Sequence, residues 1–318
     1  MSKFLITGCF GFIGSYLTKY ILDNYPNDIV TGVGRNTNQK NLRRLDGYIG
    51  NPSLKIIYRD IAKNNLTEIF DGVDIAYHLA AKTFVDYSIR DPQPFIESNV
   101  IGVYNILESA RKSPTLKKLF IISTDEVYGQ ILEGSWKEDS PLNPSNPYSS
   151  TKACGDMLAR SYYNTYKLPV IITRTENVYG PYQGCEKVIP TFVKKALNNE
   201  PLPVYGDGKH RRRWFHVEDK CRALLHLAEK GKVGEIYHLA GEQELENLEL
   251  AKRILKILDK PESLITFLPD HDIRPGHDRR YALDVTKLKS TGWTPKYNIE
   301  TGIPEVVSWY RDNQWWLN

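Results

Sequence analysis

The chain places Ser123-Thr124-Asp125-Glu126-Val127-Tyr128-Gly129 directly after the apolar run Leu119-Phe120-Ile121-Ile122. A hydroxyl and two carboxyls stand side by side at what the run predicts to be a strand end. Farther on, Tyr148-Ser149-Ser150-Thr151-Lys152 sets a phenol and an ammonium one helical turn apart, on one face. Adjacent carboxyls raise one another's pKa, which favours keeping Asp125 protonated near neutral pH. A nearby ammonium favours phenolate and is expected to lower Tyr148 from the usual value of about 10. An acid, a base and a phenol suited to hydride chemistry would then share one pocket.

The elements that must position these groups alternate in type. Lys3–Thr7, 28–33, 55–58, 75–79, 119–123 and 169–174 read as strands, and 13–24, 95–111 and 148–166 as helices. Strand–helix alternation implies βαβ units and a parallel sheet, and nearly all-apolar strands fit a sheet covered on both faces. From Tyr179-Gly180-Pro181 onward, Pro and Gly punctuate shorter elements, so a smaller second domain is expected over most of 181–318. The strand-like stretch 233–241 is expected to return to the sheet of 1–180.

Gly8-Cys9-Phe10-Gly11-Phe12-Ile13-Gly14 follows the first strand and opens the first helix. Glycines there let backbone approach a pyrophosphate at a helix N-terminus, and the strand-before, helix-after context makes the pattern a dinucleotide site. The fold class is therefore α/β, a Rossmann-type doubly wound parallel sheet. The second strand ends without Asp or Glu, and Arg35 stands where a 2′-phosphate would be held, which favours NADP over NAD. Asp60-Ile61 follows the third strand, where a carboxylate reaches toward adenine. Leu79-Ala80-Ala81 ends the fourth in small residues that admit a ligand.

The net charge of +4 argues against nucleic acid or an anionic membrane as partner. Cys9, Cys154, Cys185 and Cys221 fit neither a zinc template nor a disulfide framework, so no metal and a reducing, cytoplasmic setting are expected. No apolar stretch approaches the ~20 residues of a membrane span.

With these residues in view, the chain resembles an extended short-chain dehydrogenase/reductase, and within that group the nucleotide-sugar 4,6-dehydratases of the dTDP-glucose type. The likeness runs along nearly the whole length. It includes Arg174-Thr175-Glu176-Asn177-Val178-Tyr179-Gly180-Pro181, Glu186-Lys187-Val188-Ile189-Pro190, Pro201-Leu202-Pro203-Val204-Tyr205-Gly206-Asp207-Gly208 and Arg274-Pro275-Gly276-His277-Asp278-Arg279-Arg280-Tyr281.

The resemblance implies a tightly held cofactor, a smaller C-terminal substrate-binding domain and a homodimer paired through the helices at 95–111 and 148–166. Val100, Tyr104, Leu107, Met157, Leu158 and Tyr162 are the expected apolar contacts. It implies Glu126 as the base at C5 of an NDP-hexose, Asp125 as the acid at C6, Thr124 orienting the C4 oxygen, and Tyr148 with Lys152 serving C4 oxidation. Asn36, Asn99 and Ser123 join the cofactor residues. Asn177, Lys187, Val188, Arg212, Asn247 and Arg274 would line the pyrophosphate region, with Pro203, Tyr205 and His277 near the base or ribose. Arg211 and Arg213 are expected to be solvated.

Three departures stand out. Arg213 replaces an acidic or small residue, Glu176 a small or amide one, and Phe84 a His near the hexose. The last leaves dTDP- or UDP-glucose and a 2-acetamido sugar such as UDP-N-acetylglucosamine open. A 4-epimerase would share Tyr148 and Lys152 but needs no Asp125-Glu126 pair. A non-catalytic cofactor-binding protein of this fold would not need Tyr148 and Lys152.

Overall fold

The computed structural model describes residues 1–35, 39–63, 65–269 and 278–318. Asn36, Arg274 and His277 lie outside the described residues. The strands in chain order are β1 (Lys3–Thr7), β2 (Ile29–Gly34), β3 (Leu54–Tyr58), β4 (Ile75–His78), β5 (Lys118–Ile122), β6 (Val170–Thr175), β7 (Asn177–Tyr179), β8 (Leu202–Tyr205), β9 (Arg211–His216), β10 (Ile236–Leu239), β11 (Glu244–Glu246) and β12 (Ile265–Leu268). Seven form one parallel sheet in the order β10-β6-β5-β4-β1-β2-β3, so the stretch at 236–239 does pair beside β6.

Strand alternation builds the two cores. Phe4, Ile6, Phe120, Ile122 and Ile171 pack on one face with residues of the helices Phe12–Asn24 and Val217–Lys230. Leu5, Leu119, Ile121, Val170 and Ile172 face the opposite way, onto Gly102–Ala110 and Pro147–Tyr166. Because both faces are covered, the strands carry no polar face, as the apolar runs predicted.

The order reverses between β1 and β4, which opens a crevice at the strands' C-terminal ends. A third core joins the small sheet β11-β9-β7 to the helices Val188–Leu197, Asn247–Ile257 and Ile299–Asp312.

Two local details position the site. Asn146 caps the helix Pro147–Tyr166: its side chain accepts from the Ser149 N–H at 3.0 Å, and Pro147 supplies the helical φ without needing a donor. The stretch expected as a helix over 95–111 contains a π-helical turn at Glu97–Ile101, continued by Gly102–Ala110. That turn carries Asn99, whose amide bonds both ways to Lys82, accepting from its N–H at 2.8 Å and donating to its carbonyl at 3.0 Å.

Candidate active site

The glycine turn meets the requirements of a dinucleotide's phosphates. Gly8 has φ +74°, and a Cβ on it would stand 2.8 Å from the Ala80 nitrogen. A Cβ on Gly14 would overlap the Gly8 carbonyl oxygen. The turn therefore brings β1, the end of β4 and the first helix together as only glycine allows. Gly11 caps that helix with no side chain on its N–H groups and no acid in the first turn, which suits an anion. Phe10, Phe12 and Ile13 complete the loop, and Phe10 stacks on Tyr58 with ring centres 5.8 Å apart.

Arg35 forms an ion pair with Asp60 at 3.6 Å, and Asp60 also accepts the Ala62 N–H at 3.0 Å. Ile61 is buried in the second core, and its carbonyl accepts from Asn105 at 2.9 Å. The Ala80 N–H donates to Thr7 at 3.2 Å, just past β4, where Leu79 and Ala81 flank it. Asn99 is buried and donates to Thr151 at 3.1 Å as well as to Lys82. Its amide thus ties the Lys82 loop to the helix of Tyr148 and Lys152.

The chemistry-bearing residues lie where β5 and the 147–166 helix meet. Ser123 is buried with its hydroxyl unpartnered. Thr124 begins a tight turn over Asp125–Tyr128, donates to Asp125 Oδ1 at 2.9 Å and also bonds the Tyr148 phenol. Burial raises Asp125 to about 6, opposed by the Thr124 hydrogen bond and the Arg212 charge. Burial, then the Asp125 charge, raises Glu126 to about 7, while Arg212 and Lys187 pull it down.

Tyr148 corrects an expectation. Burial and the charges of Glu126 and Asp125 raise its phenol, outweighing the Thr124 hydrogen bond that favours phenolate. Lys152 does not reverse this, since its Nζ donates to the Ile122 carbonyl at 2.7 Å and burial lowers its own pKa.

Of the residues expected around the nucleotide, Lys187 and Arg212 come to the carboxyls. Lys187 Nζ lies 4.9 Å from the centre of the Phe84 ring, and Val188 opens the helix behind it. Phe84 itself has φ +124°, a rare backbone state for a bulky residue. Arg212 donates to the carbonyls of Asp278 at 2.7 Å and Arg279 at 3.1 Å, and it stacks over Tyr281. Pro203 and Tyr205 on β8 gather with Asn247 around the Gly206–Gly208 turn, where the Asn247 N–H donates to His210 at 3.0 Å. Asn177 opens β7.

Arg213 is not solvated: it is largely buried and donates to the Leu283 carbonyl at 2.8 Å. Leu107 and Tyr162 pack into the chain's own core, so they are not part of an external apolar face.

Two further buried groups are not among the expected site residues. Lys220, 1 % exposed, bonds the Thr175 hydroxyl and is pushed down to about 7 by burial. Its signal was legible: it interrupts the stripe Val217, Cys221, Leu224, Leu225 at helical spacing. Glu176, 4 % exposed, accepts the Leu283 N–H at 2.6 Å. Among the described residues, no His, Cys, Asp and Glu cluster could hold a metal ion.

The GDP-mannose 4,6 dehydratase family matches residues 5–306, and the chain belongs to it. It is 42% identical to the low-salt glycan biosynthesis protein Agl12 of Haloferax volcanii, over 96% of this chain and 97% of that protein. A dTDP-glucose 4,6-dehydratase of Streptomyces venezuelae, DesIV, crystallised with NAD and TYD bound, superposes with TM-score 0.92 at 40% identity, covering 99% of this chain and 98% of that one. A UDP-glucuronic acid 4-epimerase of Bacillus cereus, in complex with UDP-glucuronic acid and NAD, reaches TM-score 0.91 at 27% identity, covering 98% and 99%. Fold alone is therefore shared by two reaction types, and the side chains must separate them.

Proposed function

We propose that the chain is a nucleotide-sugar 4,6-dehydratase that converts an NDP-hexose to the NDP-4-keto-6-deoxy sugar. The observation that carries this reading is the Asp125–Glu126 pair: one buried and one half-buried carboxyl, raised to about 6 and about 7, beside Tyr148. A 4-epimerase has no use for an acid and a base poised near neutral pH, whereas a dehydration needs both.

The roles follow from the chemistry. Tyr148, beside Thr124, takes the proton of the C4 hydroxyl as C4 is oxidised, the positive charge of a bound oxidised dinucleotide favouring its phenolate. The new ketone acidifies the C5 proton, and Glu126 removes it. Asp125 gives a proton to the C6 hydroxyl, which leaves as water. Glu126 returns a proton to C5 as C6 is reduced. A dinucleotide held there would supply the redox chemistry, as acceptor of the C4 hydride and its donor to C6, with no net consumption. Gly8, Gly11, Gly14, Phe10, Asp60 and Ala80 would hold it.

NADP preference has no support. The DesIV dehydratase was crystallised with NAD, and Arg35 is engaged with Asp60. NAD is the proposed cofactor. The C-terminal half, with Lys187, Arg212, Tyr205 and Asn247, is proposed to hold the nucleotide-sugar, and two copies are proposed to associate. Among the described residues, no helix is long and apolar enough to cross a membrane. A cytoplasmic setting fits an enzyme of nucleotide-sugars and NAD.

The test is turnover of a panel of dTDP- and UDP-hexoses without added cofactor, read by the ultraviolet absorbance of a 4-keto product in alkali. Stereochemical inversion at C4 with no such product would replace this reading with the epimerase.

A further inference from the structure

β5 and β6 are neighbours in the sheet, and each ends in an acid-bearing segment: Asp125 follows β5, and Glu176 follows β6. The two carboxyls divide their oxygens in the same way. Asp125 Oδ1 takes the Thr124 hydroxyl at 2.9 Å and the Glu126 N–H at 3.1 Å, and Oδ2 is buried with no partner. Glu176 Oε1 takes the Leu283 N–H at 2.6 Å, and Oε2 is buried with no partner. Two bare carboxyl oxygens, buried at the ends of adjacent strands, disfavour a second negative charge. One proton kept by the pair relieves that cost.

The cations nearby do not remove the need for it. Facing Glu176, Arg213 donates to the Leu283 carbonyl at 2.8 Å and pairs with Glu244 at 3.6 Å. Arg280 also faces it, and holds Glu244 through Nε at 3.0 Å and through Nη2. Glu244, the other acid facing Glu176, is thereby neutralised. Facing Asp125, Arg212 is bound to the Asp278 and Arg279 carbonyls, and Lys220 to the Thr175 hydroxyl. The remaining groups facing Asp125 are Glu126, Tyr148 and Tyr281. Burial raises Glu176, and the Asp125 charge raises it further.

We propose that Glu176 is a positioning residue for the dehydration: with Asp125 it forms a carboxyl pair that retains one proton at neutral pH. Asp125 can then deliver that proton to the C6 hydroxyl. The Asp125 carboxyl loses the proton, the C6–O bond breaks, and water leaves with the bonding electrons. The inference rests on the dehydratase reading for its activity arm alone.

The test is Glu176→Gln, which keeps the side-chain shape and the oxygen that accepts from Leu283. Without the second acid, Asp125 ionises at lower pH. The alkaline limb of kcat is expected to move toward acid by about one pH unit or more, with kcat at the acid end within about threefold of wild type. Loss of kcat by the same factor at all pH, or an unmoved limb, overturns the proposal.

Infrared difference spectra supply an arm that needs no substrate. Wild type at about pH 8 should keep a protonated-carboxyl stretch that Glu176→Gln lacks; its absence in wild type also overturns the proposal. If wild type makes no 4-keto-6-deoxy product, the dehydratase reading fails while the infrared arm still decides the proton pair.

Discussion

Arg174 Nη1 donates to the Tyr128 hydroxyl, and this bond fastens the turn that carries Asp125 and Glu126 to the buried end of β6. The same hydroxyl lies 2.7 Å from His238 Nε2. Burial holds His238 down at about 3, so the ring is neutral, and its Nδ1 donates to the Asp284 carbonyl at 2.9 Å. Nε2 must then accept from Tyr128. Arg174 also pairs with Asp156 at 2.9 Å, both of them 1% exposed.

Tyr128→Phe is therefore expected to lower stability by about 1–3 kcal/mol, because it strands a guanidinium donor and a ring acceptor inside the protein. Arg174→Met should cost more, about 3–5 kcal/mol, by leaving Asp156 unpaired. Urea unfolding measures both. A Tyr128→Phe midpoint equal to wild type would remove this anchoring role.

The carboxyl pair gives a sharper outcome. Glu126→Gln and Asp125→Asn preserve shape and leave Tyr148 in place. Each is expected to cut 4-keto-6-deoxy product by about 10²–10⁴-fold while C4 oxidation survives. Reduced cofactor should accumulate in a single turnover. Tyr148→Phe should give none. Near wild-type product from both carboxyl variants would end the assignment.

The pH behaviour follows with its sign. The competent state has Glu126 ionised and Asp125 protonated, so the pair must hold one proton between them. Both acids are raised, so kcat should be bell-shaped in pH: its acid limb follows ionisation of Glu126, and its alkaline limb follows loss of the proton on Asp125. Stability runs the other way. Both folded values lie above the unfolded ones, so these acids reduce stability progressively as pH rises from about 4 through their folded values. Asp125→Asn and Glu126→Gln should each be more stable than wild type at about pH 8, by roughly 1–3 kcal/mol, with the gain gone near pH 4. Thermal melts across pH check this; a gain independent of pH would contradict it.

Much of this was legible in the residues. The run Lys3–Thr7 coincides with β1, since an apolar strand bounded by glycine has few alternatives. The helix over 148–166 starts one residue earlier, at Pro147, because Asn146 supplies the cap. The π turn at Glu97–Ile101 was not legible, because it depends on where Asn99 meets Lys82, a contact between segments distant in sequence. The direction of the Tyr148 shift was missed for a related reason: the Tyr148–Lys152 spacing states that the two share a face, not that Lys152 reaches the Ile122 carbonyl. Arg213 reads from the sequence as a solvated cation like Arg211, because its carbonyl partner Leu283 lies far along the chain.

Arg35 allows a test of cofactor choice. Its guanidinium is half exposed and 3.6 Å from Asp60, and a 2′-phosphate would have to compete with that carboxylate. The cofactor released on denaturation should be NAD. Arg35→Ala should change the retained amount less than threefold, in keeping with an exposed pair of small energy. Release of mainly NADP from wild type would restore the first expectation.

Association is the remaining expectation to be measured. Met157 on the Pro147–Tyr166 helix is 64% exposed, and Tyr104 on the Gly102–Ala110 helix is 46% exposed. Ile96 and Ile101, on the turns leading into the second of these, are also exposed. The two helices pack on each other through the core beneath, so these side chains share one outer region. A symmetric pair would bury it twice, once from each copy. Leu107 and Tyr162 contribute nothing, being already buried, so the contact should depend on the exposed set. Light scattering at micromolar concentration should give twice the chain mass for wild type. Met157→Glu, which would bring like charges together across a two-fold axis, should shift the mass toward the single chain while leaving the fold's circular dichroism unchanged. A single-chain mass for wild type would rule out this face as a stable interface. A doubled mass unaffected by Met157→Glu would move the interface elsewhere on the surface.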